Sequence, residues 1–150
     1  MLERWTLVAC AAVNFYLLGV MVLFAAVVYP QFGSVDRTAF PFLYASFNGR
    51  IGLPVVVFEF AALVLTLALY AFRPAELPLW SVHAAVAFGV AYFAITFGLH
   101  LPSHRALAGG DNSVKALGPL LSSQWARTVV QMLRAGLLSW ALTASMGRGG

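Results

Sequence analysis

Apolar residues fall into four long blocks along this chain, and the polar positions inside them are few enough to take one by one. The blocks span about 5–29, 50–72, 79–101 and 121–146. Each holds the roughly 20 residues that a helix needs to cross a bilayer. Trp5, Tyr29 and Trp80 stand at block ends, where amphipathic rings favour the headgroup level. Pro30, Pro74 and Pro78 punctuate the connections, and the tight link at 73–77 makes an antiparallel hairpin of the second and third blocks. The pattern predicts an all-α integral membrane protein, an up-down-up-down four-helix bundle forming one domain over 1–150. Between the first two blocks the stretch PQFGSVDRTAFPFLYASFNG is aromatic. It predicts a short interfacial helix, N-capped by Ser34 with Asp36 in its first turn. Pro30 is expected to end the first helix.

The fourth block organises the rest. Gln124, Arg127, Gln131 and Arg134 are spaced 3, 4 and 3, so they share one face of a helix whose other faces are apolar. Lipid cannot solvate such a stripe, so it must face protein or a wet cavity. The other helices carry few partners for it. Asn14 sits in the middle of the first and reads as a helix–helix hydrogen bond. Glu59 lies about nine residues into the second, and an acid at that depth needs a partner or a proton. Tyr92, Thr96 and His100 follow at helical spacing on the third, with Gly89 allowing close approach on the same side. His83, near the other end of that helix, reads as a packed or interfacial histidine.

Depths along antiparallel helices can be compared. Side chains on a helix tilt toward its N-terminus, so Arg134 is expected to reach back to the level of Glu59 and pair with it. Arg127 is then left to line the opening with His100 and His104. One acid against two arginines gives a net positive pocket, suited to an electron-rich guest in low dielectric. Carboxylate, phenolate, enolate, quinone carbonyl and lipid phosphate all qualify. The candidate binding residues are Glu59, Tyr92, Thr96, Arg127, Gln131 and Arg134, and the candidate catalytic residues are His100 and His104.

Composition narrows the class. The chain is 61% hydrophobic and 9% charged, against about 25% charged in soluble domains. The net charge of +4 belongs to loops and buried arginines, so it does not indicate nucleic-acid binding. Cys10 is the only cysteine, which excludes an intrachain disulfide and a cysteine metal cluster. His100 and His104 have the i,i+4 spacing of two metal ligands on one helix face. Pro102 is expected to break the helix between them, and Glu59 lies too deep to join them, so no metal or other cofactor is assigned. Arg37, Arg50, Arg105 and Lys115 share one membrane face, called the mouth face below. Arg4, Arg73, Arg148 and the amino terminus share the other, so the positive-inside rule does not orient the chain. The Arg-rich, Ala-rich composition points to a bacterial inner membrane.

Pro102-Ser103-His104-Arg105-Ala106-Leu107 after the third block and Gln124-Trp125-Ala126-Arg127-Thr128 in the fourth resemble the small four-helix membrane proteins of the DUF1772 group, which includes anthrone oxygenases. Tyr29-Pro30 through Arg50-Ile51-Gly52 resembles the corresponding first loop. His104 stands where the family usually has Asn. The resemblance implies oxygenation of an activated phenolic or anthrone-like carbon, with His104 or His100 as base and Arg127 facing the enolate oxygen. Two classes of function stay open at this point. One is a membrane enzyme or binder for a hydrophobic oxygen-bearing molecule such as a quinone. The other is a non-catalytic subunit packed against membrane protein partners or against further copies of itself.

Overall fold

The computed structural model describes residues 1–147. Arg148, counted above among the cations of the far face, lies outside them. Four long helices form an up-down-up-down bundle: α1 (Leu2–Ser34), α2 (Phe40–Ala68), α3 (Leu79–Leu107) and α4 (Val114–Met146). The first three are long and apolar enough to cross a membrane. Each helix packs on its neighbours in the chain, and α1 also packs on α4, so α4 lies between α1 and α3 while α2 stands diagonally opposite it. Leu7, Cys10, Val82, Leu138 and Ala141 form the apolar core at the far end.

The helices outrun their sequence-based limits on the mouth side. α2 begins at Phe40, not Arg50, and its 29 residues rise about 43 Å at 1.5 Å per residue. That exceeds the roughly 30 Å hydrocarbon core. The aromatic stretch expected as a separate interfacial helix therefore includes the first turns of α2. The physical reason is burial: Phe40 and Tyr44 pack with Phe32, Leu107, Leu117 and Leu120 in a second core beyond the main bundle. Ser34 does not cap a helix; its hydroxyl donates to Gln31 O at 2.8 Å. Asp36 instead accepts from the Thr38 hydroxyl and from Thr38 N–H, which holds its pKa below the usual carboxylate range. α4 likewise starts seven residues before 121, capped by the Ser113 hydroxyl, which accepts from Ala116 N–H.

Two prolines expected to end or break helices do neither. A π-helical segment, Phe24–Val28, precedes Pro30 in α1, and another, Thr96–His100, precedes Pro102 in α3. Proline offers no N–H and clashes with the carbonyl four residues back. A wider turn just before it absorbs that clash, so each helix continues past its proline. α3 closes at Gly110, the one residue with positive φ (91°) among those described, a conformation glycine adopts without a Cβ penalty. In the loop that follows, Asn112 donates to Phe32 O at 3.0 Å and Val35 O at 2.7 Å, tying the α3–α4 connection to the end of α1.

Candidate functional site

The polar stripe of α4 faces the bundle. Gln124, Arg127, Gln131 and Arg134 are all buried, with relative exposures of 0%, 4%, 1% and 2%. Their partners follow from register. α4 runs antiparallel to α1, and Gln124 donates to Met21 O at 3.0 Å while Gln131 donates to Asn14 O at 2.9 Å and Asn14 Oδ1 at 3.0 Å. The contacts step seven residues along each helix in opposite directions. The Asn14 amide in turn donates to Cys10 O at 2.8 Å. The asparagine does join two helices, as its place in the sequence indicates.

Across the diagonal, α4 and α2 run in the same direction, and their contacts also repeat every seven residues. Arg127 Nη2 bonds Glu59 Oε1 at 2.5 Å. Seven residues on, Arg134 Nη2 donates to the Thr66 hydroxyl and to Ala62 O, the latter at 3.1 Å. The expected Glu59–Arg134 pair is therefore replaced by Glu59–Arg127. The tilt of α4 side chains toward the mouth is too small to carry Arg134 back a full seven residues, and Glu59 meets the arginine at its own level. Arg134 instead lies flat against α3. A Cβ on Gly89 would sit 3.5 Å from the guanidinium carbon, so glycine leaves the planar group room to stack on the helix surface.

Tyr92 completes the ion pair. Its hydroxyl donates to Glu59 Oε1 and accepts from Arg127 Nη2, while the Arg127 guanidinium carbon lies 4.6 Å from the Tyr92 ring centroid. Gln124 Oε1 accepts from Arg127 Nη1 at 3.3 Å. Arg127 Nε is buried without a hydrogen-bond partner among the described residues, and so is Arg134 Nε.

Toward the mouth lies a second polar cluster, in which the two histidines expected there meet Tyr29, Tyr44 and Ser123, which the sequence did not place with them. His100 Nε2 and His104 Nε2 are 3.0 Å apart, and the Tyr29 hydroxyl lies 3.5 Å and 3.3 Å from them. His100 Nδ1 is 3.0 Å from Ser123 Oγ, and His104 Nδ1 is 2.5 Å from the Tyr44 hydroxyl. The two π-segments of α1 and α3 and the regular mouth-side extension of α2 converge here. Tyr29 was legible only as an interfacial aromatic, because helix 1 was expected to stop there. Pro102 does not separate the two histidines, because α3 continues through it.

Both clusters border one cleft of about 290 Å³. Its walls include Met21, Phe24, Phe47, Ile51 and Val55, with Glu59, Arg127, Thr96, Tyr29, His100 and His104 supplying the polar groups. The exposed Gly52, Val56 and Leu101 mark its rim between α2 and α3, on the side of the bundle that faces outward. Of the candidate residues, Glu59, Thr96, Arg127, His100 and His104 therefore come together. Tyr92 stands behind the ion pair. Gln131 and Arg134 are not at the cleft, since they bond Asn14, Ala62 and Thr66 deeper in the bundle. Thr96 turns its hydroxyl back to Tyr92 O at 2.8 Å. His83 lies near the other end of α3 with Nδ1 2.7 Å from the Tyr70 hydroxyl, apart from both clusters. Comparison of the chain with models of known protein families, with curated proteins and with solved structures finds no match.

Proposed function

We propose that the cleft between α2 and α3 takes a hydrophobic molecule with an oxygen at one end, entering sideways from the bilayer of a bacterial inner membrane. One observation carries this reading: the cleft has mostly apolar walls and an outward rim, yet Arg127 and two imidazoles border it. Such a shape suits a ring system lying among Phe24, Phe47 and Val55 with its oxygen toward Arg127. The guanidinium keeps an Nε–H with no partner among the described residues, while Glu59 neutralises its charge. A neutral carbonyl or phenol fits that balance better than a fully charged carboxylate. A quinone or an anthrone-like phenol is the class of guest that results.

The oxygenation implied by the DUF1772 resemblance fits the same arrangement. An anthrone would lose a proton to the imidazole end of the cleft and present its enolate oxygen to Arg127. Dioxygen would then oxidise the carbanion, giving the quinone and water. The alternative of a non-catalytic subunit draws no comparable support, because it calls for a dry interior in place of a bordered cleft.

The test is binding first and turnover second. Protein purified in lipid nanodiscs should retain anthraquinone or a short-chain quinone in native mass spectrometry. Gly52→Phe places a ring at the rim, where a Cβ meets nothing within 4 Å. That variant should bind at least about tenfold more weakly, a loss of about 1.4 kcal/mol, with unchanged thermal stability. Equal retention by both proteins rejects the cleft as the binding place. Anthrone conversion followed by oxygen uptake tests the reaction, and no rate above buffer would leave a binder and remove the oxygenase.

A further inference from the structure

The histidine–tyrosine cluster has more acceptors than protons. The Ser123 hydroxyl oxygen lies 3.0 Å from Leu120 O, to which it can donate, and 3.0 Å from His100 Nδ1. The Tyr44 hydroxyl oxygen lies 2.5 Å from His104 Nδ1 and 3.1 Å from His104 O, to which it can donate. A hydroxyl has one hydrogen and a neutral imidazole has one N–H. With the two hydroxyls turned to the carbonyls, the imidazole protons sit on Nδ1 and both Nε2 atoms carry free lone pairs, the tautomers that a metal site requires. The two Nε2 atoms stand 3.0 Å apart. The Tyr29 hydroxyl lies 3.5 Å and 3.3 Å from them, and its single proton can serve one nitrogen.

We infer that this triangle is a metal site, with His100 Nε2, His104 Nε2 and Tyr29 Oη as ligands to one divalent transition-metal ion. The separations fit. Ligand atoms 3.0, 3.3 and 3.5 Å apart share a point about 2.0–2.1 Å from all three, displaced less than about 1 Å from their plane, as in a tetrahedral zinc site. The supporting bonds fit too. Metal-binding histidines usually donate the other ring N–H to a fixed acceptor, which sets tautomer and ring angle, and the Ser123 and Tyr44 oxygens stand at the two Nδ1 atoms here. Two imidazoles and a tyrosine oxygen, which releases its proton to solvent as the ion binds, suit zinc, copper or iron better than magnesium or calcium. The one cation bordering the same cleft, Arg127, is held by Glu59 at 2.5 Å, so the ion would meet a neutralised pair. Three protein ligands leave a fourth position open, the arrangement of catalytic sites. All three ligands border the cleft, so that position is available to a guest oxygen. The inference does not need the guest reading. Where both hold, the imidazoles act as ligands and not as the proton acceptor described above.

Cobalt(II) chloride is the probe, added to tag-free protein in detergent after chelator treatment. The wild type should bind one Co²⁺ per chain, with the intense visible bands of four-coordinate cobalt, and Zn²⁺ should displace it. The double variant His100→Ala/His104→Ala should lose the bands. Tyr29→Phe, which keeps the ring, should bind at least about tenfold more weakly, and Ser123→Ala about tenfold or more through lost ring orientation. If the double-histidine variant fails to fold, Tyr29→Phe decides through the Co²⁺-induced rise in melting temperature, expected for wild type and diminished in the variant. Absence of four-coordinate bands in the wild type, or equal Co²⁺ affinity in wild type and Tyr29→Phe, overturns the site. Gly52→Phe separates the two proposals: it should keep Co²⁺ binding while losing the quinone.

Discussion

At the scale of single residues, the charges of this protein are settled by register and not by depth alone. Glu59 and Arg127 form a buried pair, and removing one partner of such a pair typically costs about 3–5 kcal/mol because the other is stranded in low dielectric. Glu59→Gln and Arg127→Gln should each destabilise the protein by that order. The double variant should lose clearly less than the two single losses combined, since neither charge is left alone. Pairing Glu59→Gln with Arg134→Gln should instead give additive losses, measured by thermal unfolding in detergent. Additivity in the first cycle and coupling in the second would return the pair to Arg134. Gly89 makes a related prediction. Its Cβ position is in ordinary contact with the Arg134 guanidinium. Gly89→Ala should therefore change stability by less than about 1 kcal/mol, whereas Gly89→Leu should cost about 1–3 kcal/mol through overpacking. The residues most legible in the sequence were those of the α4 stripe, because a 3-4-3 spacing on an apolar helix admits only an inward face. The choice of partner was not legible, because a helix pattern fixes which face is polar but not how far one helix slides along another.

At the scale of elements, the two proline-linked π-segments and the mouth-side extensions of the helices build the site. None was visible as such. Proline reads as a helix end by its missing N–H, and only packing around Tyr29, Phe32 and Leu107 keeps α1 and α3 going past it. Asn112 belongs to this scale. It is buried, and its amide donates to carbonyls of α1 and of the turn after it. Asn112→Asp removes both donors and sets a carboxylate against two carbonyl oxygens. It should be more damaging than Asn112→Ala, which should itself cost about 1–3 kcal/mol for the acceptors left unsatisfied. Urea or thermal unfolding of the two variants would rank them, and the reverse order would place the Asn112 side chain elsewhere.

At the scale of the whole molecule, three helices are apolar enough to enter a membrane and the fourth carries the polar stripe. α4 therefore depends on the others for a place to turn its arginines. A central arginine costs about 2.5–3.5 kcal/mol on insertion scales. A chain lacking α1, which removes the Asn14 and Met21 carbonyl partners, should leave α4 poorly inserted. Glycosylation-site mapping of α4 in microsomes would read this out. Full insertion of α4 without α1 would show that it crosses on its own composition.

The sequence by itself determined the number of helices, their alternation, the inward face of α4 and the membrane setting, because each rests on local periodicity and on the cost of polar groups in lipid. The sequence also placed His100, His104 and Arg127 together at the mouth, but it put Glu59 with Arg134. Only the tertiary structure decided that Glu59 meets Arg127, that Arg134 rests on Gly89, and that Tyr29 and Tyr44 close around the two histidines. Those contacts join residues up to about 75 positions apart. They depend on the sliding register of packed helices and on two widened turns, and neither is written in any local stretch of the chain.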